Sequence, residues 1–204
     1  MPIVFGIGLL NLNGWQYVNR DFHELFLSPL AWGGRYMKIF SFDAETNGLW
    51  GKAFAIGAVV KDTETGTEKQ WVGRCPIEGE VNPFVEEMVL PQMVDIPTTH
   101  HNYEDLLEDF MDFYMYNKED AVCLVHIGLP VEARLFIDAH DKGIIGDWDA
   151  PFPLVDCSAI PSIGTSVDIY NQEHGLSVPS FKGGTHNPLY DSYAALVAYS
   201  HAIK

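Results

Sequence analysis

Four carboxylates and one imidazole, in three short stretches of this chain, are residue types that can together hydrolyse a phosphodiester. Asp43 and Glu45 lie two residues apart, Glu132 follows much later, and His186 and Asp191 come near the carboxyl end. Carboxylate oxygens are ligands that Mg²⁺ and Mn²⁺ prefer, and two such ions can stabilise the attacking and the leaving oxygen of an in-line displacement. An imidazole can take the proton from the attacking water. The set therefore predicts a two-metal nuclease.

The residues that surround these five add to the prediction. The three stretches read Phe-Ser-Phe-Asp-Ala-Glu-Thr-Asn-Gly-Leu at 40–49, His-Ile-Gly-Leu-Pro-Val-Glu-Ala at 126–133 and His-Asn-Pro-Leu-Tyr-Asp at 186–191. Their content and order resemble the DEDDh family of 3′→5′ exonucleases, whose members include oligoribonuclease and the proofreading subunits of replicative polymerases. The resemblance covers residues 37–204 and is concentrated in the three motifs.

The resemblance implies a role for each of the five residues. Asp43, Glu45, Glu132 and Asp191 would hold two divalent cations, Mg²⁺ or Mn²⁺, and His186 would be the general base. The expected reaction is removal of nucleotides from the 3′ end of single-stranded DNA or RNA, with nucleoside 5′-monophosphates as products.

The resemblance also implies residues that bind the substrate. The backbone near Thr46 would meet the terminal 3′ hydroxyl, and Leu49 or Trp50 would pack on the base. An aromatic side chain can stack on any base, although Trp50 is equally typical of a core or rim aromatic. His126 ends the strand before the second motif, and Lys182 is placed to touch a phosphate, or else is simply solvated.

Two positions bear on how closely the chain follows the family. The family usually has Asp where this chain has Glu132, and Glu is one methylene longer; the alternative interpretation is a surface carboxylate in the first turn of a helix, where the helix dipole favours it. Asp138 is then the substitute ligand, two turns further along. In the sister branch, Tyr-x₃-Asp replaces His-x₄-Asp; that Tyr position is Asn187 here, which favours the His branch.

Composition limits the class of protein and of partner. The 28 acidic and 12 basic side chains leave a net charge of −16, which argues against a large non-specific grip on duplex DNA, since that grip relies on Lys and Arg. We expect short oligonucleotides, or single-stranded ends, as partners. No apolar run is long enough for a membrane span. Three widely spaced cysteines fit no disulfide framework or zinc site, which favours a cytoplasmic location.

Periodicity predicts an α/β domain, with a ribonuclease H-like mixed five-stranded sheet flanked by helices as the arrangement that the resemblance implies. The expected strands are 37–43, 53–60, 68–75, 121–127 and 153–156, of which the first three form an antiparallel meander. The expected helices are 82–91, 102–117, 130–142, 166–174 and 187–202. Pro83 and Pro188 begin two helices, and Gly143 ends one.

Residues 1–36 do not fit this pattern. They carry scattered aromatic residues without a clear period, and they precede the first expected strand. The codons for residues 33–37 can form a purine-rich ribosome-binding sequence followed by ATG, so Met37 is a candidate start. Our hypothesis is that residues 1–36 are an upstream leader read in frame. The alternative is an N-terminal extension that packs on the domain of residues 37–204.

Two other functions are compatible with the sequence. The first is a ribonuclease H-like module that binds nucleic acid or a partner protein and cuts weakly or not at all, for which the departure at Glu132 is the main support. The second is the proofreading partner of a polymerase, ranked below a stand-alone enzyme. The choice between DNA and RNA stays open, as does a homodimer built on exposed Tyr and Phe side chains.

Overall fold

The computed structural model of the protein describes residues 7–11, 14–18, 38–181 and 183–204. From residue 38 onward the described chain is an α/β domain with an open five-stranded sheet flanked by helices. The strands are β1 (Ile7–Asn11), β2 (Gly14–Val18), β3 (Lys38–Thr46), β4 (Ala53–Asp62), β5 (Glu68–Arg74), β6 (Ala121–Val125) and β7 (Leu154–Asp156).

The sheet has the order β5-β4-β3-β6-β7. The strands β3, β4 and β5 pair antiparallel in sequence order, as predicted, while β3 with β6 and β6 with β7 are parallel pairs. This mixed order agrees with the ribonuclease H-like arrangement, so the predicted fold class is confirmed. The strand β3 lies in the centre, and it carries the first predicted motif at its carboxyl end.

The helices are α1 (Tyr103–Asn117), α2 (Val131–Asp141), α3 (Val167–Glu173) and α4 (Pro188–Ala202). Each agrees with a predicted helix to within one residue at either end. Side chains cap α1 and α3, since Asn102 accepts the Asp105 amide at 3.0 Å and Ser166 accepts the Ile169 amide at 3.3 Å. Gly143 follows α2 with a φ of +72°, a conformation that suits glycine and ends a helix.

The predicted helix at 82–91 is wrong in its type and its end. After Pro83 and Phe84 the chain forms a π-helical turn (Val85–Val89) and then a 3₁₀ turn (Leu90–Met93). Pro91 does not stop this segment because it lies in the first turn of the 3₁₀ helix, where an amide hydrogen needs no partner within the helix. The segment buries Val85, Val89 and Met93 and exposes Phe84.

The two faces of β3 have different neighbours. Phe40 and Phe42 belong to the main core, where the ring of Phe40 meets that of Tyr114 on α1 at 5.5 Å between centroids. Side chains alternate along a strand, so Asp43 and Glu45 extend from the opposite face, on which α4 packs. The helices α1 and α2 thus supply the core, and α4 covers the face with the acidic residues.

The hairpin of β1 and β2 is a separate compact unit. Its strands pair antiparallel from Ile7 with Val18 to Asn11 with Gly14, and the sequence analysis did not predict them. The rest of the first 37 residues, including Met37, lies outside the described residues, so the leader hypothesis stays a prediction. In the part of the chain that the structure describes, no helix combines the length and the apolar character that crossing a membrane requires.

One glycine permits the close approach of α4 to the sheet. A Cβ atom at Gly57 on β4 would collide with the backbone of Pro188 and would lie 2.5 Å from the Leu189 amide nitrogen. The Ser192 hydroxyl on α4 donates to the Gly57 carbonyl at 3.0 Å. Gly57 pairs with Asp43 across the sheet, so this contact brings the first turn of α4 to the end of β3.

We expect Gly57→Ala to lower the free energy of unfolding by about 2 kcal/mol, because the added methyl group meets backbone atoms that cannot rotate away. Urea unfolding followed by circular dichroism measures the change. Gly146→Ala is the matched control, since its Cβ would meet only a movable side-chain oxygen at 3.2 Å. Equal stability of the two variants would show that α4 does not depend on Gly57.

Candidate metal centre

The carboxyl end of β3 presents two carboxylates on one side of the sheet. Asp43 and Glu45 point the same way because side chains alternate along a strand, and they pair with Gly57 and Ala55 on β4. The register shifts between Glu45 and Thr46, which marks the place where β3 leaves regular pairing. A strand end beside a bulge is a usual place for functional side chains.

The start of α4 brings the third carboxylate to this place. Asn187 caps the helix, since its side-chain oxygen accepts the Leu189 amide at 3.1 Å, and the Asp191 amide bonds to the Asn187 carbonyl at 2.9 Å. Asp191 therefore lies in the first turn of α4, as the sequence predicts from Pro188 at the helix start. The contact of Pro188 with Gly57 sets how near this turn comes to β3.

Asp43, Glu45 and Asp191 form a compact acidic group. One oxygen from each lies within 4.8 Å of the other two. Metal–oxygen distances of about 2.1 Å bring the ligands of one cation to within about 4.2 Å of each other, so small side-chain rotations suffice for a shared ion. Within the described part of the chain, no other His, Cys, Asp or Glu side chains form such a group of three.

The electrostatics of this group favour a cation. Burial raises the pKa of Asp43 well above its ordinary value, and the charges of Asp191, Glu132 and Glu45 raise it further. Burial, together with the charge of Glu45, raises the pKa of Asp191 to about 8. Carboxylates resist ionisation when they share a buried place with like charges. A divalent cation would remove that repulsion, and an all-oxygen donor set fits Mg²⁺ or Mn²⁺.

His186 lies beside the acidic group. Its ring nitrogen Nδ1 is 3.5 Å from Glu45 Oε1, and its amide donates to Asp191 Oδ2 at 2.8 Å. The contact with Glu45 raises the pKa of His186 above its usual value. The backbone of His186 has a φ of +70°, a conformation that is uncommon outside glycine and often occurs at functional sites. The structure thus brings the predicted base and three of the predicted ligands together.

Glu132, the fourth predicted ligand, is not part of the compact group. It lies on α2, where it is 3% exposed, and its Oε1 accepts the Ala44 amide of β3 at 3.1 Å. Its Oε2 is buried without a hydrogen-bond partner. Burial raises the pKa of Glu132 to about 8. The alternative of a surface carboxylate is therefore wrong, and Glu132 holds the backbone between Asp43 and Glu45.

The substitute ligand Asp138 has structural partners. Its carboxylate accepts the Tyr103 hydroxyl at 2.8 Å and lies 3.5 Å from Arg134 on the same helix.

His126, directly after β6, directs Nε2 to the Thr165 carbonyl at 3.1 Å. The loop after His126 is held by Asp156, whose carboxylate accepts the amides of Ile127 and Gly128, both at 3.0 Å. That loop leads into α2 and so sets the position of Glu132.

The loop after β3 presents the predicted base-packing residues to solvent. Leu49 is 62% and Trp50 71% exposed, so neither is a core side chain. The Thr46 hydroxyl donates to the Gly48 carbonyl at 2.8 Å. Asn47 fastens the loop, because its side-chain oxygen accepts the Asn82 amide at 2.8 Å. The predicted phosphate contact Lys182 lies outside the described residues.

Phe84 is a neighbour of the site that the sequence analysis missed. Its ring meets the His186 imidazole edge to face at 5.9 Å between centroids, and the side chain is 56% exposed. Phe84 follows Asn82, which binds the loop of Leu49 and Trp50. The three exposed apolar side chains therefore belong to connected loops beside the acidic group. The available signal was Asn-Pro-Phe at 82–84, which places an aromatic residue at a helix start.

We expect the metal-free protein to lose stability as the pH rises from 5 to 8. The pKa values of Asp43, Asp191 and Glu132 are higher in the folded protein than in the unfolded chain. Between the unfolded and the folded pKa values, the folded protein therefore binds more protons than the unfolded chain does. The resulting stabilisation is complete at low pH and is lost as the pH rises through the folded pKa values. The expected loss is at least about 1 kcal/mol, because one pKa unit corresponds to about 1.4 kcal/mol.

Urea unfolding in a chelator at several pH values measures this slope. Asp191→Asn should flatten it, whereas Asp112→Asn, an exposed position on α1, should leave it unchanged. Saturating Mn²⁺ should reverse the slope, since metal binds the ionised carboxylates and stabilises the folded state by mass action. A metal-free protein whose stability rises between pH 5 and pH 8 would contradict the raised pKa values.

Replacement of Glu132 separates its two possible roles. We expect Glu132→Ala to lower the free energy of unfolding by about 2–4 kcal/mol, because it leaves a cavity and an unpaired Ala44 amide. Glu132→Gln keeps an oxygen for that amide and should be close to the parent in stability. A tenfold loss of Mn²⁺ affinity in Glu132→Gln would identify Glu132 as a ligand as well, and Glu108→Ala on the exposed face of α1 is the control.

Comparisons with known proteins do not extend this description. No model of a known protein family matches the chain, and no curated protein matches it. The candidate centre accordingly rests on its own geometry: three carboxylates within 4.8 Å, an imidazole 3.5 Å from one of them, and a buried carboxylate that holds the strand between two of them.

Proposed function

We propose that the protein is a metal-dependent 3′→5′ exonuclease of the DEDDh type, which hydrolyses single-stranded DNA or RNA ends to nucleoside 5′-monophosphates. Asp43, Glu45 and Asp191 would hold the divalent cations, with Glu132 beside them. The bound ions, Mg²⁺ or Mn²⁺, would supply Lewis acidity and charge neutralisation at the scissile phosphate. The chain itself positions the ligands and the base.

The observation that carries the proposal is the convergence of Asp43, Glu45 and Asp191. Two of these carboxylates end the central strand and the third begins the last helix, yet their oxygens lie within 4.8 Å. Without a cation this arrangement is unfavourable, since burial and mutual repulsion raise the pKa of both Asp43 and Asp191. A purely structural role would not require three half-buried carboxylates at one point.

The position of His186 supports its assignment as the general base. The imidazole lies 3.5 Å from Glu45, one of the candidate ligands, so a water held at the acidic group would be within reach of the ring. The His186 amide is fixed to Asp191 at 2.8 Å. His186 must be neutral to accept a proton, and its raised pKa predicts that activity increases with pH above 6.5.

The surface beside the acidic group favours an unpaired end as the substrate. Leu49, Trp50 and Phe84 are exposed apolar side chains. The hydrogen bond between Asn47 and Asn82 connects the loop of Leu49 and Trp50 to the start of the helical segment that carries Phe84. Exposed aromatic rings can stack on unpaired bases without regard to sequence, whereas a base within a duplex already stacks on its neighbours. The net charge of −16 further disfavours long electrostatic contacts with a nucleic acid.

One observation favours the second candidate, a ribonuclease H-like module that binds nucleic acid or a partner without efficient cleavage. The Oε1 atom of Glu132 is engaged by the Ala44 amide, so a second cation that bound Oε1 would compete with that amide, and Oε2 is the oxygen without a hydrogen-bond partner. A centre that holds one ion firmly and the other weakly would cut slowly. This candidate predicts stabilisation by Mn²⁺ with little hydrolysis.

The decisive experiment follows 5′-labelled single-stranded DNA and RNA oligonucleotides with Mn²⁺, Mg²⁺ or EDTA. We expect a metal-dependent ladder that shortens from the 3′ end, and the faster substrate identifies the preferred nucleic acid. Asp43→Asn should lower the rate at least about 10³-fold, and His186→Ala about 10²–10⁴-fold, because each removes a group that acts at the reacting phosphate. Asp112→Asn should match the parent.

The variants of Glu132 test whether this residue is a ligand, and the activity of the parent protein separates the two candidate functions. If Glu132 binds metal, Glu132→Asp should retain or increase cleavage, and an unimpaired Glu132→Ala would place the fourth ligand elsewhere. A product ladder that the parent protein forms and Asp43→Asn does not form would support the proposed function. A folded protein that binds oligonucleotides and Mn²⁺ but leaves both substrates intact would favour the module instead.

A further inference from the structure

A single carboxylate outside the acidic group bonds to the residue before His186 and to the residue before Asp191. Asp168 lies in the first turn of α3. Its Oδ2 accepts the hydroxyl of Thr185, the residue before His186, at 3.2 Å, and its Oδ1 accepts the hydroxyl of Tyr190, the residue before Asp191, at 2.9 Å. One side chain thus connects α3 to both ends of the segment that carries the candidate base.

The surroundings of this segment show why these two hydrogen bonds matter for its position. A cavity of about 480 Å³ lies beside it, and its walls include Asp168, Asn171, Phe181, Gly184 and Tyr190. The segment is therefore not packed tightly on this side. Gly183 and Gly184 both have positive φ values, +97° and +71°, which are conformations that few other residues adopt easily. The two hydrogen bonds of Asp168 therefore hold the segment on the side that faces the cavity.

The helix α3, which lines the cavity, is joined to α4 by hydrogen bonds. The Asn171 side chain donates to the Ala194 carbonyl at 3.0 Å, which fixes α3 against α4. The Tyr190 hydroxyl donates to Asp168 at 2.9 Å, so a second hydrogen bond connects α3 to the first turn of α4. Asp168 thus belongs to a helix that a separate hydrogen bond fastens to α4.

We propose that Asp168 is a positioning residue, which holds the imidazole of His186 in place through Thr185 and Tyr190. This inference rests on the proposed exonuclease function, in which His186 is the general base. Asp168 is not a member of the group of Asp43, Glu45 and Asp191, although its charge is near enough to raise the pKa of Asp191. Phe84 contacts the imidazole from the side of the π-helical turn. Asp168 restrains the backbone that carries His186.

Thr185→Val and Tyr190→Phe test the inference because each removes one hydroxyl donor and preserves the charge of Asp168. We expect each variant to lower kcat about tenfold, with KM and the Mn²⁺ midpoint within about twofold of the parent. Thr185→Ser restores a hydroxyl and should recover the rate. Tyr193→Phe is the matched control, since the Tyr193 hydroxyl on the same helix bonds instead to Gln70 at 3.3 Å.

Two further measurements locate the effect. In a His186→Ala background, Tyr190→Phe should cause no additional loss of kcat, because the group that it positions is already absent. Hydrogen exchange of the peptide containing residues 183–187 should accelerate in Thr185→Val and Tyr190→Phe but not in Tyr193→Phe. An additional tenfold loss in the His186→Ala background would overturn the inference, since Asp168 would then act through another group.

The exchange measurement also separates this inference from the proposed function. A parent protein that does not cut would overturn the proposed function, whereas the exchange rates report the anchoring of the segment without any activity. An active parent, with unchanged kcat and unchanged exchange in both variants, would overturn the inference alone. Loss of rate with faster exchange in both variants would support it.

Discussion

The close approach of α4 to the sheet at Gly57 is the constraint on which the candidate centre depends. Because Gly57 has no side chain, the first turn of α4 reaches the backbone of β4 opposite Asp43. The Ser192 hydroxyl lies between the Gly57 carbonyl at 3.0 Å and the Pro188 carbonyl at 2.6 Å, where α4 meets β4. A wider separation would leave Asp191 and His186 out of reach of Glu45, however well each motif were formed.

The position of these residues has a cost in the metal-free protein. Burial and like charge raise the pKa of Asp43, Asp191 and Glu132, so the folded state must retain protons or tolerate repulsion. The aromatic core on the other face of β3, where Phe40, Phe42 and Phe136 pack together with α1, supplies the stability that offsets this cost. The acidic residues of the candidate centre and the aromatic residues of the core thus occupy opposite faces of β3.

The segment with His186 is held from several directions at once. The Phe84 ring touches the imidazole, Asp191 accepts the His186 amide at 2.8 Å, and Asp168 accepts hydroxyls from both flanks. The glycines before it permit an unusual backbone path, and a Cβ at Gly183 would collide with the Gln92 carbonyl. The segment is therefore defined by contacts with the π-helical turn, α3 and α4 together.

The sequence by itself determined the features that depend on neighbouring residues in the chain. Alternation along β3 places Asp43 and Glu45 on one face, Asn-Pro at 187–188 begins α4, and Gly143 ends α2. Tertiary structure alone decided that Glu132 bonds to the Ala44 amide, that Phe84 meets His186, and that Asp168 joins Thr185 to Tyr190. These contacts join elements far apart in the chain, so they depend on how helices dock on the sheet and leave no periodic signal. The π-helical turn escaped prediction for a different reason, because its burial of every fourth residue is also the pattern of an α-helix.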